Sequence, residues 1–429
     1  MKISKPYSNK ITGKIQLVSS KSESNRALII QALCEETITI NNLSTSDDTK
    51  TLKSLLDSYK NNNVLDAHHA GTTYRFLVAF LSCQIGEWTL TGSERMKERP
   101  IKILVETLRR NGANINYLEK DGYPPLLIKG TSLNLSKIQI DGSISSQYIS
   151  ALLLLAPSMG KTTKISFINR IISKPYINMT LAIMEYFGAK TTWKNGSILI
   201  EKTPYKTNNL SIESDWSAAS YWYQIVALNK DSSIELEGLK EQSFQGDSEI
   251  ANIFRQLAVE TTYKDNSISI SNNNSATLKK IKLNLNNTPD LAQTIICTCA
   301  GLEIEATISG LETLVIKETN RLEALKNELQ KFNIDLEIIE NHTLYLKGGQ
   351  TITNPTSDIE TYNDHRMAMA FAPLSLAAGS FCINNPEVVS KSYPNYWKDL
   401  ESAGFKIQHE FFTKTLEPIN FPEFKTETI

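Results

Sequence analysis

A local pattern returns five times along this chain. An apolar segment with helical spacing ends in a turn residue, and a short strand, a polar turn and a second strand follow. Ile101 to Arg110 runs into Asn111-Gly112-Ala113 and on to Leu126-Leu127-Ile128. Tyr176 to Phe187 ends at Gly188-Ala189, and Asn195-Gly196, a strong two-residue hairpin signal, leads into Ile198-Leu199-Ile200. The same order runs from Glu249 through Ala258 to Ile268-Ser269-Ile270, from Arg321 through Asn333 to Leu344-Tyr345-Leu346, and from Asn395 to Gly404-Phe405. The turn positions 112, 188, 258, 333 and 404 are 76, 70, 75 and 71 residues apart. That period exceeds common solenoid repeats and has room for two helices and four strands. It predicts an α/β protein built by repetition. A sixth copy is expected before residue 60, where Thr49 to Tyr59 reads as a helix, but no hairpin is evident there. Ile149 to Ala156 and Ala368 to Ala378 are apolar on more than one face, which places helices beneath sheets.

The 429 residues suggest two or three domains. With 41% hydrophobic and 21% charged residues, the chain is neither disordered nor collagenous. A net charge of −1 leaves no global basic field for nucleic acid or an anionic membrane, so any anion must be held by local clusters. The five cysteines (Cys34, Cys83, Cys297, Cys299 and Cys382) are odd in number and lack metal-knuckle spacing, which fits a reduced, cytoplasmic protein. Met1 to Leu17 has no apolar signal-peptide core, and Ile149 to Met159 is too short to span a bilayer. Asn208 to Trp216 is a candidate crossover, Asn272 to Ser275 a polar loop, and the tail after Phe411 has no clear pattern.

Cations cluster where helices begin. Arginine is scarce, ten against 35 lysines, yet Arg26, Arg75, Arg95, Arg99, Arg321 and Arg366 all sit in polar or glycine-containing signatures. Arginine suits bidentate capture of carboxylate and phosphate. Ser20-Lys21-Ser22-Glu23-Ser24-Asn25-Arg26 opens an apolar helix with hydroxyls and two cations, an arrangement able to hold an anion on free backbone amides. Ala70-Gly71-Thr72-Thr73-Tyr74-Arg75 opens another, and the neighbouring His68-His69 point to opposite faces of an extended chain, a poor metal pair. Glu94 to Pro100 reads by itself as a solvated face laced with ion pairs, and Glu318 with Arg321 as a surface pair. Ser143 to Tyr148, Ser173 to Tyr176 and Asp290 read as helix caps or ligand donors. Asn363-Asp364-His365-Arg366 places charge at the mouth of an apolar helix, and Lys391 follows. If these helix starts converge, they form a pocket for several anionic groups.

Taken in order, the segments resemble the 5-enolpyruvylshikimate-3-phosphate synthase (3-phosphoshikimate 1-carboxyvinyltransferase) family. Lys21-Ser22-x-Ser24-Asn25-Arg26, Lys317-Glu318-Thr319-x-Arg321-Leu322 and Asn363 to Met369 carry the likeness, which extends from about residue 20 to 405. It implies a two-domain inside-out α/β barrel with three βαβαββ units in each domain. One domain would be 20–214, the other 1–19 and 215–429, with the active site between them. The implied reaction moves the enolpyruvyl group of phosphoenolpyruvate to the 5-hydroxyl of shikimate 3-phosphate and releases phosphate, on the route to chorismate and the aromatic amino acids.

By motif match, Lys21, Ser22, Arg26, Ser145, Ser146, Gln147, Ser173, Tyr176, Asp290 and Lys317 would hold shikimate 3-phosphate. Lys21, Gly71, Arg95, Gln147, Arg321, Arg366 and Lys391 would hold phosphoenolpyruvate. Asp290, Glu318 and Lys21 would move protons, with Asp290 as base and Glu318 as carbon acid, and substrate anions should raise a carboxyl pKa there. The resemblance implies no metal or organic cofactor and a monomer that acts on small molecules, not on nucleic acid or membranes. Three departures from the family pattern are His69 for Asn, Asn320 for Asp, and Ser19-Ser20 for Pro-Gly. The competing readings are the related UDP-N-acetylglucosamine enolpyruvyl transferase, which would carry Lys-Asn near the N-terminus and a loop cysteine, and a non-catalytic phosphosugar-binding protein on the same scaffold.

Overall fold

The computed structural model describes residues 1–8, 10–273 and 278–409. Part of the expected polar loop at Asn272 to Ser275 and the tail after Phe411 lie outside the described residues.

Each of the five turn positions is held in the left-handed region. Gly112, Gly188 and Gly404 have φ of 100°, 90° and 96°, and Asn333 and Ala258 have 64° and 65°. Helices Lys102–Arg110, Lys174–Tyr186, Arg321–Lys331 and Tyr396–Ser402 all stop just before such a residue. Beyond it the chain folds back on the last turn: the amides of Ala113, Ala189, Ile334 and Phe405 donate to the carbonyls of Leu108, Met184, Leu329 and Leu400. This is the Schellman ending, which satisfies carbonyls the helix leaves free. The repeat is therefore set by a backbone requirement: each outer helix must end sharply to start a sheet.

Four sheets share one plan. In each, two parallel strands are joined by an antiparallel hairpin that lies on the second of them. Examples are Val64–Asp66, Glu87–Thr91, Leu126–Lys129 and Asn114–Tyr117 in that spatial order. Asn195 and Gly196 both have positive φ, 51° and 68°, and form the turn between Thr191–Lys194 and Ser197–Ile200. A fifth sheet borrows the N-terminus: Lys2–Ser4 lies between Phe381–Cys382 and Lys406–Gln408. The sixth is a single parallel pair, Thr39–Asn41 with Asn209–Ser211. Its strands are far apart in sequence, which is why no local period reveals it.

Apolar residues gather in two clusters. One draws on residues from Ala27 to Ile212, the other on Ile3 to Leu17 and Trp216 to Phe405. We call these the first and second lobes. Inside them run helices with almost no solvent-facing side: in Gly71–Ser82 only Thr72 escapes burial, and in Ser146–Leu155 only Gln147. Helices inside and sheets outside is the inside-out arrangement. The two chain passages between the lobes lie side by side. The Ser20 amide donates to Glu213 O at 2.8 Å and the Asp215 amide to Val18 O at 2.8 Å.

Candidate active site

Because the inner helices are buried along their length, their first turns are the places where polar side chains surface. These turns converge on one cleft between the lobes. Lys21, Ser22 and Arg26 come from helix Lys21–Leu33, Gly71 from helix Gly71–Ser82, and Ser145, Ser146 and Gln147 from the start of Ser146–Leu155. Ser173 and Tyr176 complete the first-lobe wall; Asp290, Lys317, Glu318, Arg321 and Arg366 form the second. Of the residues expected from the sequence, only Arg95 and Lys391 lie outside this cleft. They line an adjoining cavity that shares Arg99 and Glu318 with it.

Arg321 organises the second wall. It is almost fully buried and paired with three carboxylates: Nη1 to Asp290 at 2.9 Å, Nη2 to Glu318 at 2.9 Å and Nε to Asp364 at 2.7 Å. Glu318 and Arg321 are thus a buried pair, not a surface one. Asp290 is not a helix cap. Its carboxylate also meets Arg366 at 3.2 Å and Lys317 at 3.3 Å, and accepts a hydrogen bond from the Tyr176 hydroxyl across the cleft at 3.1 Å. Asp364 caps helix His365–Phe371 through the Arg366 amide at 2.9 Å.

Burial opposes ionisation of Asp290, but Arg366, Lys317 and Arg321 outweigh it and hold the carboxyl well below the usual carboxylate range. Glu318 behaves alike: burial pushes upward, Arg321 and Arg99 win, and the carboxyl is held well below its ordinary value. The protein's own cations are the nearest charges to both carboxyls, and they set the direction of both shifts; the rise expected from substrate anions would act against them. Burial lowers Lys317 and Lys391, and, with Lys21 and Arg366 adding repulsion, leaves His365 neutral. At 3.7 Å from Asp364, the His365 ring is too distant for a hydrogen bond. Behind the wall, buried Asp247 is raised to about 6 by desolvation and by Asp290; it accepts from the Ser217 hydroxyl, which also accepts from Arg366.

The first wall is held differently. Arg26 donates to Thr180 Oγ1 at 2.7 Å, Ser22 O at 2.8 Å, Ser150 Oγ at 3.1 Å and Tyr176 O at 3.2 Å, all neutral oxygens. Lys21 pairs with Asp48 at 3.1 Å. Gln147 and Thr72, the two half-buried positions of their helices, are bonded to each other at 3.0 Å. Ser145 caps its helix, whereas Ser173 does not. Ser173 has a φ of 49°, and its amide reaches Asn286 O in the second lobe at 2.9 Å. Arg95 also bridges the lobes, donating to the carbonyls of Glu318 at 2.9 Å and Lys317 at 3.1 Å, while Arg170 pairs with Glu312 at the rim.

Several site residues escaped the sequence assignment. Arg99 sits in the charge run Glu94 to Pro100, which suggested a solvated face, yet it is only 6% exposed. Arg75, Thr72 and His365 lie within the quoted motifs, which by themselves assign them no role, and Asp48 carries no local signal beyond an ordinary helix start. The departures have structural accounts. Ser20 and Asn320 cap their helices through the amides of Glu23 at 3.4 Å and Glu323 at 3.5 Å, and His69 lines the adjoining cavity. Among the described residues no group of acids, histidines and cysteines could hold a metal, and no helix is long and apolar enough to cross a membrane.

Comparison with known proteins agrees with this architecture. The family model for EPSP synthase (3-phosphoshikimate 1-carboxyvinyltransferase) matches residues 6–64 and 51–400. A 3-phosphoshikimate 1-carboxyvinyltransferase of Bacteroides fragilis (strain YCH46) is 45% identical over 401 residues, covering 93% of this chain and 97% of the relative. One from Sulfurovum sp. (strain NBC37-1) is 37% identical, covering 91% and 96%. The solved EPSP synthase of Acinetobacter baumannii superposes with a TM-score of 0.76 at 21% identity, covering 95% of this chain and 100% of that one. That last likeness establishes the two-domain inside-out fold.

Proposed function

The chain belongs to the EPSP synthase family, and from that premise we propose how its residues divide the work. The reaction is transfer of the enolpyruvyl group of phosphoenolpyruvate to the 5-hydroxyl of shikimate 3-phosphate, with release of phosphate, a step of aromatic amino-acid biosynthesis. Neither the UDP-N-acetylglucosamine reading nor the non-catalytic one is favoured by the family match. The lobes correspond to domains 20–214 and 1–19 with 215–429, a division supported by the two apolar clusters and the paired crossovers.

The observation that carries the assignment is that Asp290 and Glu318 share one buried arginine, Arg321, at a cation-lined cleft. Seven cationic side chains line that cleft against three carboxylates. The two substrates bring about −5 to −6 of charge, so an excess of cation is what a water-poor cleft needs to hold them. Shikimate 3-phosphate lies along Ser22, Arg26, Ser145, Ser146, Gln147, Ser173, Tyr176 and Lys317. Phosphoenolpyruvate lies by Lys21, Gly71, Arg95, Arg321, Arg366 and Lys391.

Asp290 is ionised and so ready to accept the 5-hydroxyl proton. The freed oxygen attacks C2 of phosphoenolpyruvate while C3 takes a proton from Glu318 or Lys21, giving a tetrahedral intermediate. Loss of a C3 proton and cleavage of the C2–O bond to phosphorus then release phosphate. For Glu318 to act as an acid, its pKa must rise. Substrate carboxylate and phosphate supply that change by competing for Arg321 and by adding negative charge nearby.

Phosphate release requiring both substrates tests the reaction itself. Asp290→Asn and Glu318→Gln should each lower kcat by about 10²–10⁴ with both KM values within a few fold. Wild-type rates in both variants would remove these residues from the mechanism.

A further inference from the structure

The Arg99 guanidinium is buried without an ion pair among the described residues, and the carboxylates of Glu318 and Asp48 act on it only at longer range. Arg99 is 6% exposed, and its Nε has no hydrogen-bond partner. Its nearest charged neighbour in effect is another cation, Arg75, and burial with that repulsion lowers its pKa to about 10. Arg75 is likewise buried and without a carboxylate partner. It donates from Nη1 to Gly71 O at 2.8 Å, stacks on Tyr148 at 5.6 Å, and leaves its own Nε unpartnered. The two guanidiniums face one spot. A Cβ placed on Gly71 would lie 2.6 Å from Arg99 Nη1 and 2.8 Å from Arg75 Nη1, so both nitrogens are within reach of one small anion. Gly71 also begins a 12-residue helix whose first amides have no intrahelical acceptor.

Two uncompensated buried cations beside a helix start are unfavourable in a folded protein unless an anion joins them. We propose that Arg99, with Arg75 and the first-turn amides after Gly71, is a further binding residue for phosphoenolpyruvate and grips its phosphoryl group. The proposal rests on the reading above that this substrate enters beside Gly71. Arg99 stands where the main cleft meets the adjoining cavity lined by Arg95 and Lys391, so it links those two cations to the rest of the site. Its positive charge also acts on Glu318. A phosphoryl dianion drawn onto Arg99 would therefore release Glu318 toward its protonated, acidic form.

The test uses Arg99→Met and Arg99→Lys in the full chain, with phosphate release, product inhibition and thermal melting as readouts. Arg99→Met should raise KM for phosphoenolpyruvate about tenfold or more and leave KM for shikimate 3-phosphate within twofold. Inorganic phosphate should weaken as an inhibitor competitive with phosphoenolpyruvate by a similar factor, and Arg99→Lys should fall between. The ligand-free Arg99→Met protein should melt no lower than wild type, since it loses a charge without a partner. An unchanged KM for phosphoenolpyruvate, an equal rise in both KM values, or a variant that melts much lower or fails to fold would each overturn the proposal. Failure of wild type to release phosphate would instead defeat the assignment of the reaction.

Discussion

The two walls of the cleft carry the same kinds of cation under opposite conditions. On the second wall, Arg321, Arg366 and Lys317 are tied to Asp290, Glu318 and Asp364. On the first, Lys21 is paired with Asp48, but Arg26 is bound by neutral oxygens, and Arg75 and Arg99 form no ion pair among the described residues. Their acidities follow: burial lowers Arg26 and Arg99 to about 10, whereas Arg321 and Arg366 are raised because carboxylates overcome burial. Cations already neutralised hold catalytic acids in place and can be traded to a substrate. Those left unneutralised have charge to offer an arriving anion. The first wall therefore offers Arg26, Arg75 and Arg99 for capture, while the second holds the two acids, Asp290 and Glu318, beside cations that a substrate can share.

The strongest challenge to this contrast is removal of Arg321. Arg321→Met leaves three buried carboxylates without their shared counter-ion and should destabilise the protein by about 3–5 kcal/mol in denaturant unfolding. Arg99→Met, on the opposite wall, should not destabilise it. Equal losses from the two substitutions would mean the walls do not differ.

A smaller change sharpens the first wall. In Gly71→Ala the new methyl would sit 2.6 Å from Arg99 Nη1 and 2.8 Å from Arg75 Nη1, too close for either to stay. KM for phosphoenolpyruvate should rise about tenfold, a loss of roughly 1.4 kcal/mol, with shikimate 3-phosphate little affected. Parallel kinetics in Gly71→Ala and wild type would show that the guanidiniums do not serve this substrate.

The least effect on the site itself is expected where the walls join. Glu23 is buried beside the crossover, bonded to Gln245 Nε2 at 3.0 Å and to the Glu213 amide at 3.3 Å. Desolvation and the Glu213 charge raise its pKa from 4.5 to about 8. The folded state thus keeps a proton that the unfolded chain loses. This stabilises the fold below about 4.5, and stability declines as pH rises from 4.5 toward 8. Glu23→Gln should flatten that decline in thermal melts taken across the window while kcat near neutrality stays close to wild type. An unaltered slope would show that Glu23 ionises freely.

Much of the fold was legible because backbone geometry punctuates it. The recurring turn residues all adopt positive φ, even Ala258, whose side chain gave no hint of that conformation. Apolar runs marked the inner helices, and motif spacing found fourteen residues of the main cleft. Local sequence could not report the sixth sheet, since Thr39 pairs with Asn209, or the fifth, which takes in Lys2–Ser4 from the opposite end of the chain. Nor could it separate Arg99 from its exposed neighbours Arg95 and Glu98, because burial depends on Gly71 and Arg75 arriving from elsewhere.

By itself, then, the sequence determined the repeating unit, the inner helices and the choice of chemistry-bearing residues, because spacing, turn residues and scarce arginines are properties of neighbours along the chain. Tertiary structure alone decided which cations are answered by acids and which are not. Charge compensation depends on distances between segments far apart along the chain, and in this molecule those distances pair the second wall's cations with acids while leaving Arg75 and Arg99 of the first without an ion pair among the described residues.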